Sequence, residues 1–131
     1  MAMVSRSDAA VFLETAVDNL AAAESEYGLR RYDSCANRCY YACFQAAIAA
    51  LLRAGVRTSN PEGQWGHGVV QAQFSLLIDR RKLYPSSLRD TLSRLELLRE
   101  RADYQAVHVS ESQASQTLRR ARTLVQAVQE G

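Results

Sequence analysis

The chain has 131 residues, 47% of them hydrophobic and 23% charged, and a formal net charge of +2 at pH 7. These values are those of one soluble globular domain, which we place over residues 1–131, and such a chain buries a core without disulfides or metal. No stretch has the roughly 18 consecutive apolar residues of a membrane span, and the first residues lack the apolar run of a secretory signal. We therefore expect a cytoplasmic protein without a membrane partner.

The basic residues are almost all arginine, since Lys82 is the only lysine among 16 basic residues. Arginine suits phosphate recognition. A bias in genome composition produces the same excess, and we favour that explanation. The small net charge neither demands a nucleic-acid partner nor excludes one.

Apolar residues recur at helical spacing along the whole chain, and no alternating strand pattern appears. Five helices are predicted, running from Asp8 to Tyr27, from Asp33 to Ala54, from about His67, from about Ser87 to Ala106, and from Ser110 onward. Asp33 is a candidate N-cap, and Ser110 with Gln113 matches a capping box. Residues 56–66 form a predicted loop. The short connections predict an all-α, antiparallel, up-down bundle of four to five helices.

Three cysteines lie on one face of the second predicted helix, because Cys35, Cys39 and Cys43 repeat every four residues. They are either thiolate ligands of a metal or small buried residues at a close helix crossing. Three ligands on one helix spread over about 12 Å at a rise of 1.5 Å per residue. That is too far for one ion, so we favour packing. No other metal-ligand set stands out, and we expect neither a metal nor a cofactor.

The apolar stripe of the fourth predicted helix ends in charged residues. Leu88, Leu92 and Leu95 lie at helical spacing, and the same stripe continues onto Arg99 and Asp103. These two residues are four apart and pair within a helix. The alternative to a functional site is an ion pair that is solvated or bridges helices at the end of the bundle.

The second helix carries a matching polar stretch, in which Arg38 and Tyr41 share a face. An arginine beside tyrosine rings stacks a base or pairs with an acid. The alternative is packing against a neighbouring helix or subunit, and we favour an interface role. Buried polar groups need partners. If this stretch and the one around Arg99 meet in space, they form a polar cluster that is the best candidate site.

The two histidines suggest further chemistry. Arg101 and His108 are seven residues apart, so they share a face if the helix persists that far. An arginine that holds phosphate beside a histidine that transfers protons is ribonuclease-type chemistry. His108 is otherwise explained as a helix-end residue favoured by the dipole. His67 opens the third helix, where anions bind, and local capping is its alternative role.

Together these residues resemble the HEPN superfamily, and in particular its small stand-alone bacterial and archaeal members with an Arg-x-x-Ala-Asp-Tyr signature. That signature is here Arg99, Ala102, Asp103 and Tyr104. The other matching positions are Asn37-Arg38-x-Tyr40-Tyr41-Ala42 followed by Phe44, and His67 followed by Phe74. The resemblance covers the chain from about Asp8 to Val128.

The resemblance implies a two-fold dimer with a cleft that accepts nucleotide or RNA. Many such domains are toxins paired with a minimal nucleotidyltransferase antitoxin. Active members cut RNA without metal through an Arg-x(4–6)-His motif, whose spacing Arg101 and His108 satisfy, although Ala102 replaces the usual polar residue. In some relatives the partner nucleotidylates a tyrosine near the motif, and Tyr104 is the counterpart here.

We predict a homodimeric, metal-independent endoribonuclease that is the toxin of such a pair. The predicted roles are phosphate binding for Arg99 and Arg101, proton transfer for His108, orientation of Arg99 for Asp103, and RNA contact or modification for Tyr104. The other candidates for contact with nucleotide or RNA are Arg38, Tyr41 and His67. The alternative is a non-catalytic module that binds nucleotide or a nucleotidyltransferase. A third possibility is a structural bundle whose polar cluster serves dimer specificity.

Overall fold

A computed structural model describes residues 2–58 and 64–131, with side chains from Asp8 onward. All regular structure in these residues is helical, as predicted. The elements are α1 (Ala2–Gly28), α2 (Tyr32–Arg53), α3 (His67–Asp79), a 3₁₀ turn (Ser86–Leu88), α4 (Thr91–Tyr104) and α5 (Glu111–Glu130). No helix among the described residues is long and apolar enough to cross a bilayer.

Helix α2 is the centre of the bundle and contacts each of the other four helices. Most of its buried residues are alanines and cysteines. Small side chains let neighbouring backbones approach closely, which explains how one helix packs against four. The link from α1 to α2 is only three residues long, so these two helices run antiparallel, and Arg30 adopts a φ of 61° in the turn.

The three cysteines of α2 belong to this core. Cys35, Cys39 and Cys43 are all free and fully buried. Burial raises the pKa of the Cys43 thiol, which disfavours the thiolate that a metal would need. Packing therefore accounts for their spacing.

Helix α5 begins at the predicted capping box. The Gln113 amide donates to Ser110 Oγ over 3.1 Å, and the Ser110 amide donates to Gln113 Oε1 over 3.0 Å. Two amides at the helix start are thus satisfied within the motif. The buried face of α5 then packs against α2 and α1.

Several predicted boundaries were wrong. Helix α1 begins at Ala2 rather than Asp8, and α4 begins at Thr91, after the 3₁₀ turn. Asp33 is not the N-cap of α2, because Arg31 occupies that position and Asp33 lies in the first turn. Residues 59–63 of the predicted loop lie outside the described part of the chain.

The end of α4 changes the geometry of the predicted ribonuclease motif. The helix stops at Tyr104 rather than Ala106, and Ala106 has a φ of 53°, which no α-helix allows. His108 therefore does not share a helical face with Arg101. The segment between α4 and α5 instead places it beside Asp33 of α2.

Candidate functional site

The two predicted polar stretches meet between α2 and α4. The guanidinium carbon of Arg99 lies 5.1 Å from the centre of the Tyr40 ring and 5.8 Å from that of Tyr41. Arg99 Nη1 donates to Asp103 Oδ2 over 3.2 Å, and the Arg99 side chain is only 13% exposed. The two stretches therefore do meet, through a cation–π contact in which Asp103 pairs with the charge of Arg99.

A hydrogen-bond network continues this cluster toward α3. Glu96 Oε1 accepts from Gln71 Nε2 over 2.7 Å, and Glu96 Oε2 lies 3.4 Å from the Tyr40 hydroxyl. The same hydroxyl is hydrogen-bonded to His67 Nδ1. Tyr40 has one proton to share between Glu96 and His67, so it ties α2 to both α3 and α4. We call Tyr40, His67, Gln71, Glu96, Arg99 and Asp103 the polar cluster.

Aromatic rings hold His67 in place. Its ring stacks on Phe44 at a centroid distance of 4.6 Å and lies nearly parallel to Tyr40 at 5.5 Å. Tyr41 meets it edge-on at 6.4 Å. The His67 side chain is still 40% exposed. One end of the polar cluster therefore offers a partly open ring surface to solvent.

Tyr40 is held as a neutral hydrogen-bond donor. Burial raises the pKa of its hydroxyl, the negative charge of Glu96 raises it further, and the positive charge of Arg99 works against both. Arg99 itself is deeply engaged, since its Nε is buried with no hydrogen-bond partner among the described residues. An arginine so enclosed stabilises the contact between helices and is poorly placed to bind a phosphate from solvent.

A second group of residues lies where the segment after α4 meets the start of α2. His108 Nδ1 is 2.8 Å from Asp33 Oδ2, and Asp33 Oδ1 accepts from the Val109 amide over 2.7 Å. The His108 side chain is 90% exposed. With Nδ1 bound to the carboxylate, the other ring nitrogen is the one that faces solvent.

This pair lines an open cleft of about 430 Å³, which we call the His108 cleft. Its lining residues are Arg30, Arg31, Tyr32, Asp33, Ser34, His108 and Val109. Two arginines therefore lie beside an accessible imidazole. This combination supplies positive charge for a phosphate and a group that transfers protons near neutral pH.

Asp33 stays ionised in this cleft. Partial burial raises the pKa of its carboxyl, but the hydrogen bonds from the Val109 amide and from His108, together with the charge of His108, outweigh burial and lower the pKa overall. An ionised carboxylate accepts a hydrogen bond from the imidazole and orients it.

The remaining predicted residues are dispersed. Arg101 lies in a groove between α4 and α5 and does not line the His108 cleft. Arg38 donates to Asn19 Oδ1 of α1 over 3.2 Å, so it lies apart from Tyr41, which packs beneath Arg99. Tyr104 is 78% exposed at the end of α4.

Sequence reasoning missed Glu96, Gln71, Arg30 and Arg31, and it assigned Asp33 only to capping. Spacing offered a signal for two of them. Glu96 precedes Arg99 by three residues and Gln71 follows His67 by four, so each shares a helical face with a residue already singled out. The partners of Asp33 come from a distant segment, which no local pattern reveals.

Comparison with known proteins agrees with the architecture. No match was found among curated proteins. The family model described as the HEPN domain matches residues 9–131, nearly the whole chain. Together with the five-helix, strand-free structure of the described residues, this match shows that the chain belongs to the HEPN family.

Proposed function

We propose that this protein is a metal-independent endoribonuclease of the HEPN type in which His108 transfers the proton. Family membership supports a general HEPN-type function, often RNA cleavage or toxicity. The observation that carries the proposal is the pairing of an exposed His108 with Asp33 over 2.8 Å, in a cleft that two arginines line.

The chemistry follows from the tautomer that Asp33 selects. An Nδ1–H donated to the carboxylate leaves the lone pair of Nε2 facing solvent. That nitrogen takes the proton of a ribose 2′-hydroxyl, whose oxygen attacks the adjacent phosphorus. The bond from phosphorus to the 5′-oxygen breaks, and that oxygen takes up a proton from water. The products are a 2′,3′-cyclic phosphate and a 5′-hydroxyl.

Positive charge beside His108 binds the phosphate in this account. Arg31 is largely exposed and makes only a long ion pair of 3.8 Å with the mostly buried Glu26, and Arg30 forms no ion pair among the described residues. Both precede the first turn of α2, where the helix dipole also favours an anion. We assign the phosphate to these residues rather than to Arg99, which Asp103 neutralises.

We further propose that the active form is a homodimer. The apolar side chain of Val107 is 54% exposed and lies in the segment that leads to His108. A second copy that covers Val107 also narrows the open His108 cleft. In such a dimer an RNA strand in the cleft contacts two copies of His108, one from each subunit.

The exposed Tyr104 hydroxyl supports the finer proposal of a toxin with a nucleotidyltransferase antitoxin. A tyrosine that is 78% exposed is accessible to a modifying enzyme. A nucleotidyl group there adds bulk and negative charge a few residues before His108 and blocks access for RNA.

We also propose that the protein is cytoplasmic, because its RNA substrate is found in the cytoplasm.

A non-catalytic nucleotide-binding module is the second candidate, and the polar cluster favours it. The partly exposed His67 ring, backed by Phe44 at 4.6 Å, is a surface on which a base can stack. In this account His67→Ala weakens nucleotide binding, His108→Ala leaves it unchanged, and no RNA is cut.

Cleavage of a defined oligoribonucleotide in EDTA tests the first proposal against the second. We expect products that end in a 2′,3′-cyclic phosphate, and no cleavage of the matched all-deoxy oligonucleotide, because the nucleophile is the 2′-hydroxyl. Saturable binding of nucleotide without any cleavage product contradicts the endoribonuclease and supports the binding module.

A further inference from the structure

A groove between α4 and α5 lies on the side of α4 away from the polar cluster. Arg101 is two residues from Arg99, which places it about 200° further round the helix. The groove has a volume of about 230 Å³. We call it the α4–α5 groove, and no residue of it lines the His108 cleft.

The two walls of this groove have the same helical spacing. From α4 it is lined by Arg94, Leu95, Leu97, Leu98 and Arg101, and from α5 by Gln113, Gln116, Thr117 and Arg120. Apart from Leu95, which is buried at the base of the groove, each set follows the pattern i, i+3, i+4, i+7, which is one face of a helix over two turns. The walls therefore form a straight trough about 10 Å long at a rise of 1.5 Å per residue.

The charge of the groove is positive. Three arginines line it and no carboxylate does. Arg94 is hydrogen-bonded to Asp90 over 2.9 Å at one end. Arg101 and Arg120 form no ion pair among the described residues, although Asp90 lies near enough to Arg120 for their charges to interact. An acidic partner would complement this charge.

The apolar floor shows what kind of acidic partner fits. Leu97 is 52% exposed between the arginines of α4, and Leu98 lies beside it. No aromatic ring lines the groove, so a nucleic acid has no surface for base stacking there. Exposed leucines between separated arginines instead match an amphipathic helix that presents leucine and carboxylates on one face.

We propose that the α4–α5 groove binds an acidic amphipathic helix of a partner protein. Leucines of that helix cover Leu97 and Leu98, and carboxylates about two turns apart pair with Arg101 at one end and Arg120 at the other. This surface is independent of the proposed ribonuclease chemistry, so either proposal can fail without the other.

A synthetic peptide tests the groove directly. The probe is a fluorescein-labelled helix of about 18 residues, long enough to fold in part on its own, with glutamates at i and i+7 and leucines at i+3 and i+4. Its control is a scrambled peptide of the same composition. Fluorescence anisotropy measures the Kd for the full chain and for Arg120→Glu, Leu97→Gln and Arg119→Glu. Arg119 is exposed beside Arg120 but does not line the groove, so its variant controls for net charge.

We expect the patterned peptide to bind, and Arg120→Glu and Leu97→Gln each to weaken binding about tenfold, since one opposes charge and the other removes the apolar contact. Arg119→Glu stays within about twofold because only the overall charge changes. Equal binding of the scrambled peptide, or equal loss with Arg119→Glu, overturns the proposal.

Two further outcomes also overturn the proposal, because each identifies a different occupant of the α4–α5 groove. If a short oligoribonucleotide loses affinity with Arg120→Glu but not with Arg119→Glu, while the peptide does not bind, the groove is a nucleic-acid surface. If Leu97→Gln changes the mass measured by sedimentation, the occupant is a second copy of this chain.

Discussion

The guanidinium carbon of Arg99 lies 5.1 Å from the centre of the Tyr40 ring, although the two residues come from different helices. Asp103 accepts a hydrogen bond from the same guanidinium over 3.2 Å. A charge that is nearly buried is tolerated only when it is paired in this way. The contact therefore joins α4 to the central helix and contributes to the stability of the fold.

Replacement of Arg99 by alanine removes the contact with Tyr40 and leaves a gap beside its ring. We expect the free energy of unfolding to fall by about 2 kcal/mol, measured by urea denaturation. Arg101→Ala is the matched control on the same helix, and since Arg101 is exposed we expect a change within about 0.5 kcal/mol. Equal effects of the two substitutions contradict a structural role for Arg99.

Replacement of Tyr40 by phenylalanine removes the hydroxyl that joins His67 and Glu96. Each of those groups loses a partner, so we expect a loss of about 1–2 kcal/mol near neutral pH. Burial raises the pKa of Tyr40, so its stabilising effect is complete below the ordinary tyrosine value of about 10 and is lost as the pH rises toward the folded-state pKa.

The difference in the free energy of unfolding between wild type and Tyr40→Phe should therefore be constant from about pH 7 to 9 and should decrease above about pH 10. Urea denaturation across this range measures it. A gap that widens at high pH contradicts the assignment of a neutral, buried hydroxyl.

Local patterns predicted the elements of the fold well where the determining contacts are close in sequence. Ser110 and Gln113 lie three residues apart, and their capping box begins α5 as the motif predicts. The pairing of Arg99 with Asp103 is likewise an i, i+4 contact. The small residues of α2 predicted a close helix crossing, and they are buried where α2 packs against its neighbours.

The candidate site was harder to predict because its decisive contacts are distant in sequence. Asp33 and His108 are 75 residues apart, and no periodicity links them. Arg101 and His108 share a helical face only if the helix persists to His108, but the helix ends at Tyr104 and Ala106 has a φ of 53°.

Replacement of Asp33 by asparagine weakens the tether between α2 and the segment before α5. The carboxylate accepts from the Val109 amide and pairs with His108, so we expect a loss of about 1 kcal/mol at neutral pH, because the pair is partly exposed and screened. The pKa of Asp33 is lowered in the fold, so this stability is present above the ordinary value of about 3.9 and is lost as the pH falls through the folded-state pKa.

Urea denaturation at about pH 7 and about pH 3 measures this difference between wild type and Asp33→Asn. Asp18→Asn is the control, since Asp18 is exposed on α1, and we expect it to match wild type at both values. If the difference in the free energy of unfolding between wild type and Asp33→Asn is as large at the lower pH as at the higher pH, the proposed role of Asp33 is contradicted.

The most direct test of the central claim is the rate of RNA cleavage in EDTA by wild type, His108→Ala and Gln105→Ala. Both residues are exposed in the segment between α4 and α5, but only His108 pairs with Asp33. Loss of a general acid or base costs about 100-fold or more, so we predict that His108→Ala cleaves at least about 100-fold more slowly while Gln105→Ala matches wild type. Cleavage at the wild-type rate by His108→Ala would show that the His108 cleft is not the active site.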